Sequence, residues 1–209
     1  MGKYTIGIDT GGTCTDAVLV DSQTKKVLAA AKRPTTHHDL SVGIREALAQ
    51  LLQTTESTSK QIEALAVSTT LATNSVVENT GARVVLLVIG FVKHFRLPVK
   101  ALVFVDGGHT IDGKEEQPLD IENIVDVVSR LRGEVDAYGI CSAMSMHNPS
   151  HELVAERAIQ MIDPKPVFCS HRVSSTAGMR ERAATAGLHA KLMPFMHAFV
   201  DGVQQSMED

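Results

Sequence analysis

The densest chemistry in this 209-residue chain lies near its start, in Gly7-Ile8-Asp9-Thr10-Gly11-Gly12-Thr13-Cys14-Thr15-Asp16. Two adjacent glycines between apolar runs let the backbone turn sharply and approach a ligand with no Cβ in the way. Successive N–H groups in such a turn form an anion-holding concavity suited to the β- and γ-phosphates of a nucleotide. Gly11 and Gly12 are therefore candidate phosphate-binding backbone, with Thr13 and Thr15 adding hydroxyl donors on opposite sides of the turn. Asp9, at the end of the preceding strand, is placed to hold Mg²⁺ through water, because Mg²⁺ takes hard oxygen ligands and keeps part of its shell. Asp16 either orients a water or ties the turn together. The competing reading is a structural hairpin whose Thr and Asp side chains satisfy their own backbone. Position after the first strand, the flanking Asp residues and the surrounding element order favour phosphate. Spacing excludes a dinucleotide-binding G-x-G-x-x-G, and the lack of Gly-Lys-Thr/Ser excludes a Walker A loop.

The elements that must position this turn are legible from periodicity. Tyr4–Ile8, Ala17–Val20 and Val27–Ala31 read as three strands joined by tight turns, an antiparallel meander. Leu40, Ile44, Ala47, Leu48, Leu51 and Leu52 then recur at helical spacing, with Asp39 or Ser41 as N-cap. Ala64–Val67 reads as a strand, Leu71–Asn79 as a short helix closed by Gly81, and Val84–Ile89 as a strand buried on both faces. The order β-β-β-α-β-α-β is that of a ribonuclease-H-like domain, the repeating half of the actin/hexokinase/Hsp70 architecture.

Beyond Phe91 the pattern is plainer α/β. Strands are expected at Leu102–Val105, Val135–Cys141 and Pro166–Ser170, and helices at Ile121–Leu131 and from Pro149 to Ile162, Ser150 serving as cap. A long helix follows from Met179 to Met207, kinked near Pro194. The expected architecture is α/β: a ribonuclease-H-like N-terminal half over residues 1–92, then an α/β subdomain over 93–209 ending in the long helix. Leu188, Leu192, Met196, Phe199, Val200, Val203 and Met207 form an apolar stripe on that helix. It is expected either to stay uncovered and drive homo-oligomerisation, or to fold back onto the second α/β layer.

Composition narrows the classes. The net charge of −4, with Lys and Arg scattered singly, argues against a nucleic-acid partner. No apolar run approaches the ~18–20 residues that cross a bilayer, so no membrane partner is expected. The N-terminus enters a strand at once, so no secretory leader is expected. Cys14, Cys141 and Cys169 are odd in number and far apart, as expected of reduced cytoplasmic thiols. The glycine-rich turn Asp106–Gly113 reads as an ordinary connection, or else as a substrate loop with His109 as acid or base. His147 and His151 are separated by Pro149, and no acid/thiol cluster completes a tetrahedral zinc set. Adjacent Glu181 and Arg182 read as an ion pair on a solvated helix face.

Gly7–Asp21 (GIDTGGTCTDAVLVD) resembles the opening of the hydantoinase/oxoprolinase family, in which Phe is usual where Cys14 stands. Ser68-Thr69-Thr70-Leu71-Ala72-Thr73-Asn74-Ser75 is similar to that family's Gly-Thr-Thr-x-Ala-Thr-Asn-Ala, and Gly81-Ala82-Arg83 with Gly90-Phe91 continue the match. Asn148-Pro149-x-His151-Glu152, Ser170-His171 and Glu181-Arg182 follow in order. The departures are Asn79-Thr80 for an Arg-Lys pair, Val92-Lys93 for Arg-Asp, and Met179–Thr185 for a Glu-Tyr-Glu-Arg-Thr-Ser-Thr pattern.

The resemblance implies an actin-like ATPase fold and ATP-driven opening of a cyclic amide such as 5-oxoproline or a hydantoin; a carboxylase relative acting on ketones is also known in the family. It favours Thr69, Thr70 and Asn74 as contacts to substrate or phosphate over mere helix capping, and raises a substrate-carboxylate role for Arg182. Actin-like ATPases clamp the nucleotide between two such halves, which at ~100–200 residues per domain need roughly 300 residues. This chain is accordingly read as one half plus an appendage, to be completed by the rest of a parent chain or a partner subunit. The alternatives are a sugar- or acid-kinase-like phosphotransferase fragment, for which no second catalytic Asp in a Gly-rich segment is found, and a non-catalytic nucleotide-binding regulatory module.

Overall fold

Alternation of buried and open positions builds the centre of the first sheet. In the computed structural model, β1 (Tyr4–Thr10), β2 (Cys14–Asp21) and β3 (Val27–Pro34) form the expected meander, and β4 (Ile62–Thr69) joins β1 in parallel, giving the order β3-β2-β1-β4. The structure describes residues 3–36, 40–53, 61–78, 81–90, 94–173 and 175–208. Asp39, Asn79, Thr80 and residues 91–93 therefore lie outside the described residues. Ile6, Ile8, Ala17, Leu19 and Ala31 point to one face of the sheet. They meet Ile44, Ala47, Leu48 and Leu51 of α1 (Leu40–Gln53), whose apolar stripe recurs every three or four residues. The opposite face carries Gly7, Asp9, Asp16, Val18, Ala66 and Ser68 and lines a concavity of 320 Å³. The short helix α2 (Leu71–Val77) leaves the end of β4.

The second sheet is wholly parallel, in the order β6-β5-β7-β8, from β5 (Val84–Ile89), β6 (Ala101–Val105), β7 (Ala137–Ser142) and β8 (Val167–Cys169). Every residue of β5 and β7 is buried, as expected of central strands covered on both faces. One covering layer is α3 (Ile121–Leu131) and α4 (Ser150–Ile162). Asp120 caps α3, its side chain accepting from the Asn123 N–H. The other layer is the first half of α5 (Met179–Glu208), whose Ala183 and Ala186 pack on Leu86, Val88 and Cys141. Small residues let this helix approach closely: a Cβ at Gly139 would stand 3.4 Å from the Ala186 carbonyl oxygen. No helix of the described residues is long and apolar enough to cross a membrane.

Two features differ from the sequence-based expectations. The chain divides into Met1–Thr80 with Phe195–Asp209, and Gly81–Pro194, rather than at residues 92/93. The reason is pairing: β5 hydrogen-bonds to β6 and β7, so the strand expected to complete the first unit is the centre of the second sheet. The apolar stripe of α5 is also divided. Phe199 and Val203 are buried in the first unit's core with Ile44 and Leu48, whereas Leu188 and Val200 remain exposed.

Candidate functional site

β1 and β2 are joined by the turn Gly11–Thr13, after the last ladder pair Thr10↔Thr15. The Gly11 N–H donates to the Cys14 carbonyl at 2.9 Å and closes the turn. Thr35, just past β3, then ties it from behind: its hydroxyl donates to the Gly11 carbonyl at 2.8 Å and its N–H to the Thr13 carbonyl at 2.9 Å. The Gly11 and Thr13 carbonyls are thereby taken up. Among the described residues no protein acceptor is paired with the N–H of Gly12 or Thr13, which leaves two adjacent donors of the kind that bind anions. Thr13 is exposed.

Two carboxylates stand beside the turn. Asp9 and Asp16 are directly opposite in the ladder, on the uncovered face. Like charges in that arrangement repel unless something compensates them. Asp16 is compensated by Lys32, its neighbour on β3, at 3.1 Å, and that contact raises the lysine pKa. Asp9 accepts a short hydrogen bond from the Ser68 hydroxyl across the parallel β1–β4 pair. An exposed pair of carboxylates with free oxygen lone pairs is a hard donor set of the kind hydrated Mg²⁺ takes.

The start of α2 closes the site from the third side. The Thr69 hydroxyl donates to the Thr10 carbonyl at 2.9 Å, and the Thr70 N–H to the same oxygen at 3.3 Å. Thr70 stands at the N-cap position of α2, yet its side chain makes no capping bond, so its hydroxyl is left exposed beside the turn. A Cβ on Gly12 would fall 2.9 Å from Asn74 Nδ2. Asn74 therefore lies directly over the glycine turn.

Of the residues singled out in the sequence, Asp9, Asp16, Gly11, Gly12, Thr13, Thr70 and Asn74 are thus gathered around one turn, with Thr69 beneath them. Thr15 is not available there: it is buried, and its hydroxyl is bonded to that of Thr35 at 3.2 Å. Its place in the alternation, on the same face as Ala17 and Leu19, turns it into the core. Arg182 also departs from expectation. It belongs to the second unit and is buried rather than paired with Glu181 on a solvated face. His151 is buried while His147 is exposed, so the two do not share a face. Ser68, Lys32 and Thr35 received no role from the sequence. Ser68 lies inside a matched motif, and the other two emerge only once the β2–β3 register is known.

A β3-β2-β1-β4 sheet backed by a helix, with a glycine hairpin turn and a carboxylate pair at one end, is a half-domain of the actin/hexokinase-like fold. The family model of the hydantoinase/oxoprolinase N-terminal region matches residues 5–163, and the chain belongs to that family. It is 30% identical to the caprolactamase subunit alpha of Pseudomonas jessenii over 243 aligned positions, covering 99% of this chain and 34% of the relative. It is 29% identical to the acetophenone carboxylase gamma subunit of Aromatoleum aromaticum, covering 91% and 31%. Among solved structures, the ATP-dependent caprolactamase from Pseudomonas jessenii matches with a TM-score of 0.76 at 28% identity, over 98% of this chain and 34% of that one. Nucleotide-free acetone carboxylase matches in fold with a TM-score of 0.79 at 18% identity, over 100% and 35%. The chain thus spans about a third of the length of the curated relatives it matches.

Proposed function

We propose that this chain is the phosphate-holding part of an ATP-dependent enzyme that opens a cyclic amide. One observation carries the reading: the turn whose Gly12 and Thr13 amides have no acceptor among the described residues stands between the Asp9–Asp16 pair and the Thr70–Asn74 end of α2. The Gly12 and Thr13 N–H groups and the Thr13 hydroxyl hold the terminal phosphates; Asp9 and Asp16 hold hydrated Mg²⁺. Ser68 orients Asp9 and Lys32 orients Asp16. The Asn74 amide and the Thr70 hydroxyl close on the phosphate or the substrate from above. Mg-ATP would supply a phosphoryl group to the amide oxygen; water would add to the activated carbon, the ring C–N bond would break with a proton passing to nitrogen, and a second water would release phosphate from the acyl phosphate so formed.

The caprolactamase relative supports a lactam as substrate, a class that includes 5-oxoproline; a hydantoin ring presents the same amide chemistry. The second wall of the nucleotide clamp comes from the rest of a parent chain or from a partner subunit, since both curated relatives are named as subunits and are about three times longer. Three unpaired cysteines fit a cytoplasmic protein. The acetophenone carboxylase relative favours one second reading, in which a ketone loses an α-proton and takes the phosphoryl group on its enol oxygen, and bicarbonate supplies the carboxyl carbon that the α-carbon attacks, with phosphate leaving.

Phosphate release by the intact enzyme tests both readings. Release that depends on a lactam, and is lost in Asp9→Asn, supports the first; release that depends on a ketone with bicarbonate supports the second. Unchanged Mg-ATP affinity in Asp9→Asn would overturn the site assignment itself. The 209-residue chain alone should bind Mg-ATP weakly and turn it over negligibly, because stabilising the transferring phosphoryl group takes both walls.

A further inference from the structure

The glycine-rich loop Asp106–Gly113 and the start of α4 belong to the second unit, where they bring a serine and a histidine together. Serine at the start of a helix ordinarily caps it. Here Pro149 occupies the N-cap position of α4 and no side chain caps the helix, so the expected Ser150 cap is not formed. The Ser150 hydroxyl is turned instead to His109, with Oγ 3.1 Å from Nε2. Ser150 is exposed, whereas the imidazole behind it belongs to a residue only 3% exposed.

Both partners are held from several directions. The Ser150 N–H donates to Asn148 Oδ1 at 3.1 Å, and Asn148 Nδ2 donates to the Gly113 carbonyl at 3.0 Å, which staples the start of α4 to the loop. The Gly108 N–H donates to His151 Nδ1 at 2.9 Å, so His151 carries its hydrogen on Nε2 and gives it to Glu115 at 2.9 Å. The His109 ring lies 4.2 Å from that of His151, and the His109 backbone N–H donates to the Ala143 carbonyl at 3.3 Å. The loop comes this close to the sheet because Gly108 has a φ of 103° and no side chain; a Cβ there would stand 3.0 Å from Ala143 Cβ. Burial, and then His151, push the His109 pKa down from 6.5 against the pull of Glu115, so the ring is neutral and able to take a proton near pH 7.

A neutral imidazole within hydrogen-bond reach of an exposed hydroxyl is the arrangement that activates serine as a nucleophile. We propose that Ser150 accepts an acyl group from an activated ester, with His109 as its general base. Ser150 Oγ attacks the carbonyl carbon while its proton passes to His109 Nε2, the hydrogen of the neutral ring standing on Nδ1. The bond from that carbon to the leaving oxygen then breaks, the oxygen departs with the bonding pair, and His109 returns the proton to it or to water. Water later attacks the seryl ester, releases the carboxylic acid and restores the serine. The positive N-terminal end of α4 favours the oxyanion that forms beside Ser150. Among the described residues nothing pairs with His109 Nδ1, so no carboxylate steadies the imidazolium and the reaction is confined to reactive esters. The pair lies within the second unit, and the proposal does not rest on the nucleotide reading.

p-Nitrophenyl acetate is the probe, with the released nitrophenolate followed by absorbance and the acetylated residue located by peptide mass spectrometry. In the folded chain Ser150 should be acetylated at least about tenfold faster than any other serine or threonine. That preference should vanish in denaturant, where Ser150 and His109 separate. Ser150→Ala, at an exposed position, should abolish this acetylation with the melting temperature unmoved. His109→Gln should slow acetylation of Ser150 about a hundredfold, within the range a general base contributes. Acetylation of Ser150 no faster than that of other exposed hydroxyls, a preference that persists in denaturant, or a rate unmoved in folded His109→Gln would overturn the proposal.

Discussion

Asn74 Nδ2 stands where it would lie 2.9 Å from a Cβ on Gly12. That apposition joins two segments 62 positions apart in sequence, the glycine turn and the first helical turn after β4. It also explains the glycine. Neither Gly11 nor Gly12 has a left-handed φ, so Gly12 is there for close approach rather than for backbone conformation.

The two glycines should therefore respond differently to alanine. At Gly11 the nearest atom to a new Cβ is the Cys14 carbonyl oxygen at 3.4 Å, an ordinary contact, so Gly11→Ala should leave Mg-ATP affinity within about threefold. At Gly12 the new methyl displaces Asn74, and affinity should fall about tenfold or more while the melting temperature moves by only a few degrees, because the displaced atoms are the end of a side chain. Calorimetric titration and thermal unfolding of the two variants side by side decide it. Equal losses at both positions would remove Asn74 from the site.

Alternation made much of this legible in advance. Ile6 and Ile8 facing inward put Asp9 on the open face, and the same rule applied to Thr15, Ala17 and Leu19 would have sent Thr15 to the core. What alternation does not encode is partnership. The unbroken run Val84–Ile89 shows that β5 is buried on both sides, yet nothing in the run says that its neighbours are β6 and β7 rather than β4. Arg182 was opaque for a related reason: beside Glu181 it looks like one of a surface pair, and the hydroxyls that receive it, Ser145 and Ser170, are 37 and 12 residues away.

The three thiols should react in two classes. Burial pushes Cys141 up to about 11 and raises Cys169 further, Glu156 and Glu152 adding to the second shift. Both are buried, and neither is thiolate near neutrality. Cys14, partly exposed at the start of β2, is accessible. A disulfide-exchange reagent at pH 8 should titrate one thiol rapidly in the folded chain and the other two only in denaturant. Mg-ATP should slow the reaction of Cys14 if the adjacent turn holds the phosphates.

Acid should release one well-defined ion pair. Arg83 at the edge of β5 reaches Asp136 through its N–H, Nε and Nη2 at 2.8, 3.0 and 2.9 Å, and Asp136 N–H returns a bond to the Arg83 carbonyl. These contacts lower the Asp136 pKa from 3.8 to about 2, the Arg83 side-chain bonds contributing most. A depressed carboxylate stabilises the fold above its unfolded pKa, and the gain disappears as pH falls from about 4 towards 2. Both side chains are more than a third exposed, so solvent screening reduces the contribution to about 1 kcal/mol. Asp136→Asn should cost about that much at pH 7 in denaturant titrations and flatten the stability profile between pH 4 and 2. An unchanged acid limb would place the sensitive carboxylate elsewhere.

The last prediction concerns α5, whose second half packs into the first unit's core. Phe199 is 5% exposed among Ile44, Leu48 and Val203, while Val200, one residue on, is 46% exposed. Gly202 permits the contact, since a Cβ there would come within 2.9 Å of Ser41 Cβ and 3.3 Å of its Cα on α1, backbone that cannot yield as a side-chain tip can. Phe199→Glu buries an unpaired charge and removes an aromatic ring, a loss of about 3–5 kcal/mol that should unfold the first unit. Gly202→Ala forces the two helices apart and should cost about 1–3 kcal/mol as an overpacked contact. Val200→Glu should change stability by less than about 0.5 kcal/mol, and it separates packing from association. If the exposed part of the stripe, Leu188 and Val200, draws chains together, Val200→Glu should lower the scattering mass at high concentration without moving the melting temperature. A chain that stays folded with Glu at 199 would show that the helix is not part of this core.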